Sequence, residues 1–353
     1  MFNLIPSRKL LTATALAAAV LLASCGGTSA SQGVMKADTN QKGGFMGLST
    51  RSNIEAETPA AFKGKNKIAI AGFTVGFDVV KYDSNKAGGG LMGNGFGGKS
   101  SAYSKLSGID NATFMAVTES AYSDFVSKLK QAGYEVVGPQ DVVNDDAIAG
   151  TKTLDNPHIT SSGGFLTAKQ ETRYFAPAAF GKNRSFMGSI PGEMGGFAFG
   201  NPMMGAVKYA EKTGVPVLYV TYKIDFANAD GHGSWASMSS SVKVGQSMTM
   251  EQDATKVGIV GGQMGTFSSA VGSLKLGQPI GSEKAFAEVN DITTGTDKGM
   301  QIAANVIGVI GGVGTNSKRN YEFQSEPSKF KAAAMDVATQ TNSAFVSKMQ
   351  SLR

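Results

Sequence analysis

The stretch Ile68-Ala-Ile-Ala-Gly-Phe-Thr-Val75 decides the fold class of this chain. It is nearly continuous in apolar residues, which is typical of a β-strand covered on both of its faces. Phe77, Val79 and Val80 continue the apolar pattern. The stretch therefore predicts a central strand in a sheet that has helices packed against it.

A helix, a short strand and a second helix are predicted after this strand. Asn111 is a residue type that caps helices and Gly133 one that ends them. Between them, apolar residues recur at steps of three and four, as on a buried helix face: Phe114, Val117, Ala121, Phe125 and Leu129. Residues 134–137 then read as a strand and residues 141–149 as a helix. The order so far is β-α-β-α.

The second half of the chain predicts another helix and a set of strands. Asn201-Pro202 marks a helix start and Gly214 its end, with an apolar face formed by Met204, Val207 and Ala210. Residues 217–226 are rich in β-branched and aromatic types. The next strand has period two, with one apolar face: Val242, Val244, Met248 and Met250. Further antiparallel strands are predicted at residues 257–260, 267–276 and 285–289.

A long C-terminal helix completes the predicted fold. Ser325 and Pro327 open it, and its apolar stripe consists of Phe330, Ala334, Val337, Thr341 and Phe345. The predicted fold class is α/β (α+β), with a mixed sheet of about five to seven strands. Long loops rich in Gly, Met and Phe are expected at residues 83–110 and 150–200.

The N-terminus has the pattern of a bacterial lipoprotein signal. Arg8 and Lys9 precede an apolar stretch at residues 10–23, which is shorter than the roughly 20 residues of a membrane-spanning helix. Cys25 is the single cysteine of the chain and follows Leu22-Ala-Ser24. We expect cleavage after residue 24 and attachment of diacylglycerol to the Cys25 thiol. Gly26 and Gly27 favour the outer membrane, because no aspartate follows the cysteine.

Three segments therefore make up the predicted organisation. Residues 1–24 are a signal peptide, residues 25–64 a lipidated flexible tether, and residues 65–353 an α/β periplasmic domain. The tether is poor in large apolar residues, which cannot offset the entropy of ordering. Without residues 1–24, which include Arg8 and Lys9, the formal net charge falls from +6 to +4. Because the basic residues are scattered, nucleic acid is not an expected partner.

The loop at residues 93–100 fits the phosphate-binding pattern. Gly93, Gly98, Lys99 and Ser100 have the required spacing, and in such loops backbone amides cradle phosphates while the hydroxyl holds Mg²⁺. The predicted strand ends well before this loop, and Gly108 interrupts the segment after it. An unordered glycine-rich loop is therefore the favoured interpretation, and nucleotide binding is an alternative.

Other candidate motifs predict structure rather than chemistry. His158 and His232 are the two histidines. Apart from Asp230, two residues before His232, neither has an acidic residue or a cysteine at metal-ligand spacing, so no metal is expected. Asp230, His232 and Ser234 are interpreted as parts of a solvated hairpin turn rather than of a nucleophilic site. Asp145 and Asp146 are interpreted as charges in the first turn of a helix. Residues 300–313 are interpreted as a core helix rather than a membrane segment. The loops at residues 43–48, 88–98 and 186–204 either contact a partner or fold back over the sheet.

Four segments carry a family resemblance. They are the Cys25 lipobox, the strand Lys67-Ile-Ala-Ile-Ala-Gly-Phe73, the helix and strand of residues 125–137, and residues 208–226 with the strands that follow. Together they resemble the curli-secretion-channel lipoproteins (CsgG-like) and, more loosely, the small α/β domain that precedes the TolB propeller. The resemblance implies an outer-membrane lipoprotein whose periplasmic domains assemble in rings, with no catalytic residues to carry over. Residues 83–104 fall at the position of the family's constriction loop and are longer and richer in glycine.

The predicted function is that of a non-enzymatic outer-membrane lipoprotein facing the periplasm, which assembles, secretes or scaffolds components of the cell envelope. Its expected partners are the bilayer, through the lipid on Cys25, further copies of itself, and an unidentified envelope or secreted protein. No cofactor other than the lipid is expected. The alternatives are a monomeric periplasmic ligand-binding lipoprotein and a nucleotide-binding protein.

Overall fold

The computed structural model describes residues 28–39, 42–43, 49–86, 99–162, 170–192, 200–234, 239–262, 270–295 and 316–353. The α-helices within these ranges are α1 (Asn111–Gln131), α2 (Pro139–Val143), α3 (Asp146–Ala149), α4 (Pro202–Thr213) and α5 (Pro327–Leu352). Short 3-10 helices lie at Pro59–Phe62 and Ala178–Phe180.

The strands in the described ranges are β1 (Thr28–Ser31), β2 (Lys42–Gly43), β3 (Ser49–Thr50), β4 (Ile54–Glu57), β5 (Lys67–Lys86), β6 (Lys99–Ser107), β7 (Glu135–Val136), β8 (His158–Ser162), β9 (Gln170–Phe175), β10 (Val217–Ser234), β11 (Ser239–Met250), β12 (Lys256–Val260), β13 (Val271–Leu276), β14 (Ile280–Gly281), β15 (Ala287–Asp291) and β16 (Asn316–Ser325).

Fourteen of these strands form one mixed sheet, at least twice the number that the sequence predicts. The main path runs β15-β16-β6-β5-β10-β12-β13-β4, and further strands branch from β5 and β10. The number is higher because the long strands change partners along their length. On one side β5 pairs with β7, then β9, then β6, and β10 pairs with β12 and then β11.

Helices cover both faces of the sheet, which confirms the mixed α/β class. α1 and α5 pack against each other and over one face, where Ile68, Ile70 and Phe73 lie in the larger apolar core. α2, α3 and α4 contribute to a second core on the opposite face, which includes Ala69 and Ala71. The first strand is therefore buried on both sides, as its continuous apolar sequence predicts.

Local sequence signals locate three helices to within a residue or two. The cap of α1 is Asp110 rather than the predicted Asn111, since the Asp110 carboxylate accepts a hydrogen bond from Thr113 N at 2.8 Å. Gly133 follows α1 with a φ of +85°. Asn201 caps α4 as predicted. The predicted apolar residues of α1 and α5 are all buried.

Three predictions for the part of the chain between the first strand and α4 are wrong. The loop predicted at residues 83–110 contains the last residues of β5 and all of β6. The helix predicted at residues 141–149 is two helices, because the Asp145 carboxylate accepts a hydrogen bond from Ala147 N at 3.0 Å and caps a new start. The irregular segment predicted at residues 150–200 contains β8 and β9. β9 forms because it pairs with β5 and buries Phe175 against Phe114, with ring centroids 5.6 Å apart.

The flexible tether predicted for residues 25–64 is also corrected where the structure describes it. β1 pairs with β11, and β4 pairs with β13. The 3-10 helix at Pro59–Phe62 buries Phe62 in the larger core. Although the segment has few large apolar residues, backbone pairing with the sheet supplies the contacts that hold it. The folded body therefore begins before residue 65.

The far ends of the long strands form a part of the sheet that we name the β extension. It comprises β1, β6, β15, β16 and the paired ends of β5, β10 and β11. β1 and β11 contact β6 and β16 across it, and Thr28 Oγ1 donates to Ser101 O at 3.4 Å. A 20-residue strand such as β5 can span about 66 Å, whereas the 26 residues of α5 span about 39 Å. The strands are thus longer than the helices that cover them.

Two glutamine side chains close the seam between β11 and β15. Gln246 is 2% exposed, and its Oε1 accepts hydrogen bonds from Phe286 N at 2.7 Å and Ala287 N at 3.0 Å. Its Nε2 donates to Gln32 O at 2.7 Å. Gln32 in turn donates to Val289 O at 2.6 Å and accepts from Val289 N at 3.1 Å. The two side-chain amides therefore supply hydrogen bonds that a neighbouring strand would otherwise make along the edge of β15.

Replacing Gln246 by alanine should lower the free energy of unfolding by about 2–3 kcal/mol, because the N–H groups of the buried Phe286 and the half-buried Ala287 both lose their acceptor. The measurement is equilibrium unfolding in urea. As a control, Gln170→Ala removes an exposed amide and should change stability by less than about 0.5 kcal/mol. Equal losses in the two variants would contradict the role of the seam.

Candidate functional site

Five charged side chains meet on the face of the sheet opposite α1 and α5. Asp78 and Lys81 belong to β5, Lys223 and Asp225 to β10, and Glu251 follows β11 directly. We refer to these five residues as the charge cluster. Asp78 is 6% exposed and Asp225 8% exposed. Burial of this many ionisable groups is costly unless they are paired, so the cluster stands out from the rest of the sheet.

A β-bulge in β5 brings these side chains to one face, and a second irregularity in β10 follows directly after Asp225. The pairing of β5 with β9 shifts between Asp78 and Val80, and the pairing of β10 with β11 shifts between Asp225 and Ala227. In a regular strand, residues three apart point to opposite faces. The extra residue of the bulge returns Lys81 to the face of Asp78, where its ammonium reaches Asp225.

The two lysines are shared among the carboxylates. Lys223 Nζ donates to both carboxylate oxygens of Glu251 at 3.0 Å and lies 3.1 Å from Asp78 Oδ2. Lys81 Nζ forms a close ion pair with Asp225 and donates to Ala227 O at 2.8 Å. The result is a continuous network across two parallel strands.

Neighbouring groups complete the network. The Thr172 hydroxyl of β9 donates a short hydrogen bond to Asp78 Oδ1. Asp225 Oδ1 accepts from Ala227 N at 3.1 Å. Asp83 Oδ1 lies 4.0 Å from Lys81 Nζ, and its Oδ2 is buried without a hydrogen bond. With Asp83 included, four carboxylates share two ammonium groups.

Glu251 holds a proton at neutral pH. Burial of its carboxyl, followed by the negative charges of Asp225 and Asp78, raises its pKa from 4.5 to about 8. The ammonium of Lys223 opposes this shift but does not reverse it. The proton allows Glu251 to form a hydrogen bond with Asp78 rather than repel it.

The other members of the network are shifted by the same two forces. Burial raises the pKa values of Asp225 and Asp83, against the opposing charge of Lys81. Burial alone would lower the pKa values of Lys81 and Lys223, but the surrounding carboxylates outweigh it and raise both. Both lysines are therefore charged at neutral pH.

Three of the carboxylates are close enough together to hold a metal ion. Ligand oxygens of Asp78, Asp225 and Glu251 all lie within 4.8 Å of one another, and such oxygens suit Mg²⁺ or Ca²⁺. The ammonium groups of Lys81 and Lys223 already contact these oxygens. Because a divalent cation would have to displace both, the arrangement fits an ammonium-filled site better than a metal site.

A cleft of about 460 Å³ opens above the charge cluster. Its charged floor consists of Asp78, Lys81, Lys223 and Glu251. Its walls carry mainly hydroxyl and amide groups, from Thr160, Ser161, Ser162, Gln170, Thr172, Tyr174 and Ser189, together with Val80, Pro191 and Ala254. Burial raises the pKa of Tyr174 to about 12, so this phenol stays neutral. The cleft joins a polar rim to ionised groups that are otherwise buried.

The structure does not support a phosphate loop at residues 93–100. Gly93 and Gly98 lie outside the described residues, but Lys99 and Ser100 are the first two residues of β6. A phosphate loop needs a helix at this point, so that its N-terminus faces the phosphate. The Lys99 ammonium lies 5.8 Å from the centre of the Tyr82 ring instead.

The remaining predicted positions have structural roles or lie outside the description. Cys25 and residues 300–313 belong to the part of the chain that is not described. His158 Nε2 hydrogen-bonds Pro191 O at 2.8 Å. Residues 230–234, interpreted as a turn, continue β10. Asp145 caps α3 and Asp146 lies in its first turn, as predicted.

Part of the third Gly-Phe-Met segment folds back over the sheet. Phe186 is buried, and a Cβ atom on Gly258 would lie 2.3 Å from its ring. In α4 the buried methionine is Met203, whereas the predicted Met204 is only half-buried. Met187 remains exposed. Phe186 and Met203 therefore cover the sheet, and their buried side chains are not available for contact with a partner.

Sequence reasoning assigned no role to the charge cluster as a whole. Strand periodicity alone places Asp225 in the predicted strand of residues 217–226 and Glu251 on the polar side of the next strand. The available signal was the pair Lys223 and Asp225, two residues apart in a strand that should be covered on both faces. Charged residues on a covered face must find partners, so their spacing could have indicated a buried ionic site.

Among the helices that the structure describes, none has the length and apolar character needed to cross a bilayer. No protein-family model, no curated protein and no solved structure matches this chain.

Proposed function

We propose that this chain is a lipid-anchored, non-enzymatic component of the outer membrane that faces the periplasm, works as an oligomer, and assembles, secretes or scaffolds other envelope proteins. The observation that carries the proposal is the β extension. Its strands belong to the same sheet as the α/β body but reach beyond the length of the covering helices.

The length of these strands favours a role in contacts between proteins. Strands of globular domains are usually about five or six residues long, whereas β5 has 20 residues and β10 has 18. A body of this size needs no such strands to bury its core. Long paired strands that outreach their helices place backbone and side chains where a neighbouring subunit can meet them.

The lipobox supports the membrane location. Cys25 follows an apolar stretch of signal-peptide length, and the lipid that it would carry is an anchor rather than a cofactor. The resemblance to curli-secretion-channel lipoproteins adds a ring as the proposed form of the oligomer. The nucleotide-binding alternative loses support, because Lys99 and Ser100 begin strand β6 and not the helix that a phosphate loop needs.

The test is the mass of the detergent-extracted, lipidated protein by light scattering. We expect a defined oligomer of several subunits. A soluble version that lacks residues 1–25 should leave the membrane fraction and keep the same oligomeric state, because the β extension and not the lipid makes the contacts. A monomer in both forms would overturn the proposal and leave a tethered binding protein.

A further inference from the structure

The N-terminal arm, which we define as residues 28–39, lies along β11 in the β extension. Its first four residues form β1, and these pair in parallel with residues 242–245. Further along the arm, Met35 N donates a hydrogen bond to Gln246 O at 2.8 Å. The arm is therefore attached to β11 mainly through backbone hydrogen bonds.

The arm buries little apolar surface. Thr28 is its one buried residue, and its largest apolar side chains, Val34 and Met35, are only half-buried. Lys36 forms an ion pair with Glu283 at 3.6 Å, but the two side chains are 85% and 87% exposed. Hydrogen bonds exchanged with water and exposed ion pairs each add little to stability. The arm thus lacks the apolar contacts that fix the core strands.

The arm groove, which we define by residues 242–246 of β11 and residues 287–289 of β15, needs an extended segment to fill it. Val289 is 2% exposed, and both its N–H and its C=O bond to the side chain of Gln32. β10 pairs with one edge of residues 242–245, and within the described part of the chain the arm is the strand on their other edge. Because buried backbone groups without partners are costly, the occupied groove is favoured.

We propose that the arm of one copy fills the arm groove of a neighbouring copy, so that exchanged arms join the subunits. Residues 28–39 are a segment that the structure shows to fit this groove, and a second copy carries the same sequence. The hydrogen bonds made in the neighbour's groove equal those lost in the arm's own chain, which makes exchange a low-cost route to association. Copies anchored in one leaflet also present arms and grooves at high effective concentration. The inference names the contact of the proposed oligomer, and to that extent it rests on the proposed function.

The test is disulfide trapping in the detergent-extracted, lipidated protein, in which the lipid occupies the Cys25 thiol. Ser29 and Lys243 are both exposed and lie opposite each other in the register of β1 and β11. Neighbouring strands place such residues within the Cα distance of a disulfide. When the single variants Ser29→Cys and Lys243→Cys are expressed together and oxidised, we expect a covalent dimer that contains one chain of each. Ser29→Cys expressed with Ser343→Cys, at an exposed position of α5, should give none.

The double variant Ser29→Cys/Lys243→Cys controls for folding, because the register brings its two thiols together whether or not the arms are exchanged. We expect a non-reducing gel to show chains that are linked to one another. Disulfides confined within single chains, together with no mixed dimer from the single variants, would overturn the exchange. A double variant that forms no disulfide would contradict the pairing of β1 with β11 and would overturn the proposal as well.

The result is separable from the test of the proposed function. An oligomer that gives no mixed dimer would keep self-association and refute the exchange of arms. A monomer by light scattering would refute self-association itself, and the double variant would then close its disulfide within one chain.

Discussion

Replacing Lys223 by methionine should lower the free energy of unfolding by about 3–5 kcal/mol, the scale at which breaking a buried ion pair leaves an uncompensated charge. Lys223 Nζ contacts both oxygens of Glu251 at 3.0 Å and Asp78 Oδ2 at 3.1 Å. Methionine keeps most of the side-chain volume but leaves these two carboxyl groups without their shared cation. The measurement is equilibrium unfolding in urea at pH 7.

The matched control for this variant is Lys275→Met. Lys275 lies in β13 and pairs with Glu57 of β4, where both side chains are substantially exposed to solvent. An exposed ion pair contributes at most about 1 kcal/mol, so the control should remain close to the original stability. A Lys223→Met variant as stable as the Lys275→Met variant would contradict the importance of the charge cluster.

Stability should fall as the pH rises from about 4.5 to about 8. In the folded chain the Glu251 carboxyl keeps its proton up to its pKa of about 8, whereas in the unfolded chain it loses that proton above 4.5. Between these values the unfolded chain binds fewer protons, so unfolding becomes easier with increasing pH. At about 1.36 kcal/mol for each pH unit, the expected fall is at most about 5 kcal/mol, and the measurement is the urea midpoint across this pH range.

Glu251→Gln should flatten this dependence, because the amide keeps the hydrogen bond to Asp78 and cannot lose a proton. The raised pKa values of Asp225 and Asp83 act in the same direction and will leave part of the slope. Below about pH 4.5 the surface carboxylates Glu55 and Asp253, whose pKa values Arg51 holds low, reverse the trend. An unchanged slope in the glutamine variant would contradict a protonated Glu251.

Elements that depend on local signals could be predicted from the sequence. α1 and α5 carry a capping position or proline at the start and a regular apolar stripe, and both were located within a residue or two. The first strand was located because its continuous apolar run requires cover on both faces. In each case the residues that determine the element lie within the element itself or directly beside it in the sequence.

The branching of the sheet could not be predicted in the same way. β16 pairs in parallel with β6, although more than half of the chain separates them. Such pairings depend on how distant strands compete for one edge, and their sequences are polar and unremarkable. β1 and β4 were assigned to a tether for this reason, since backbone pairing leaves little trace in composition.

The charge cluster illustrates a second limit. Lys81 and Asp225 are 144 residues apart, and strand periodicity places Lys81 on the opposite face from Asp78. The bulge in β5 removes that separation. Because a bulge has no fixed sequence pattern in a non-glycine stretch, the sequence could indicate an ionic pair within β10 but not the full network.

The pairing of β1 with β11 has a consequence for how the protein meets its neighbours. β1 starts at Thr28, three residues after Cys25, and three residues can span at most about 10 Å. A lipid on Cys25 would therefore hold the N-terminal end of β1 within about 10 Å of the bilayer surface. Two copies diffusing in the same leaflet would then meet with the same part of the sheet close to the surface. Anchored copies have already lost part of the translational and rotational freedom that association normally costs. Weak lateral contacts would therefore suffice to order the copies in the plane of the membrane.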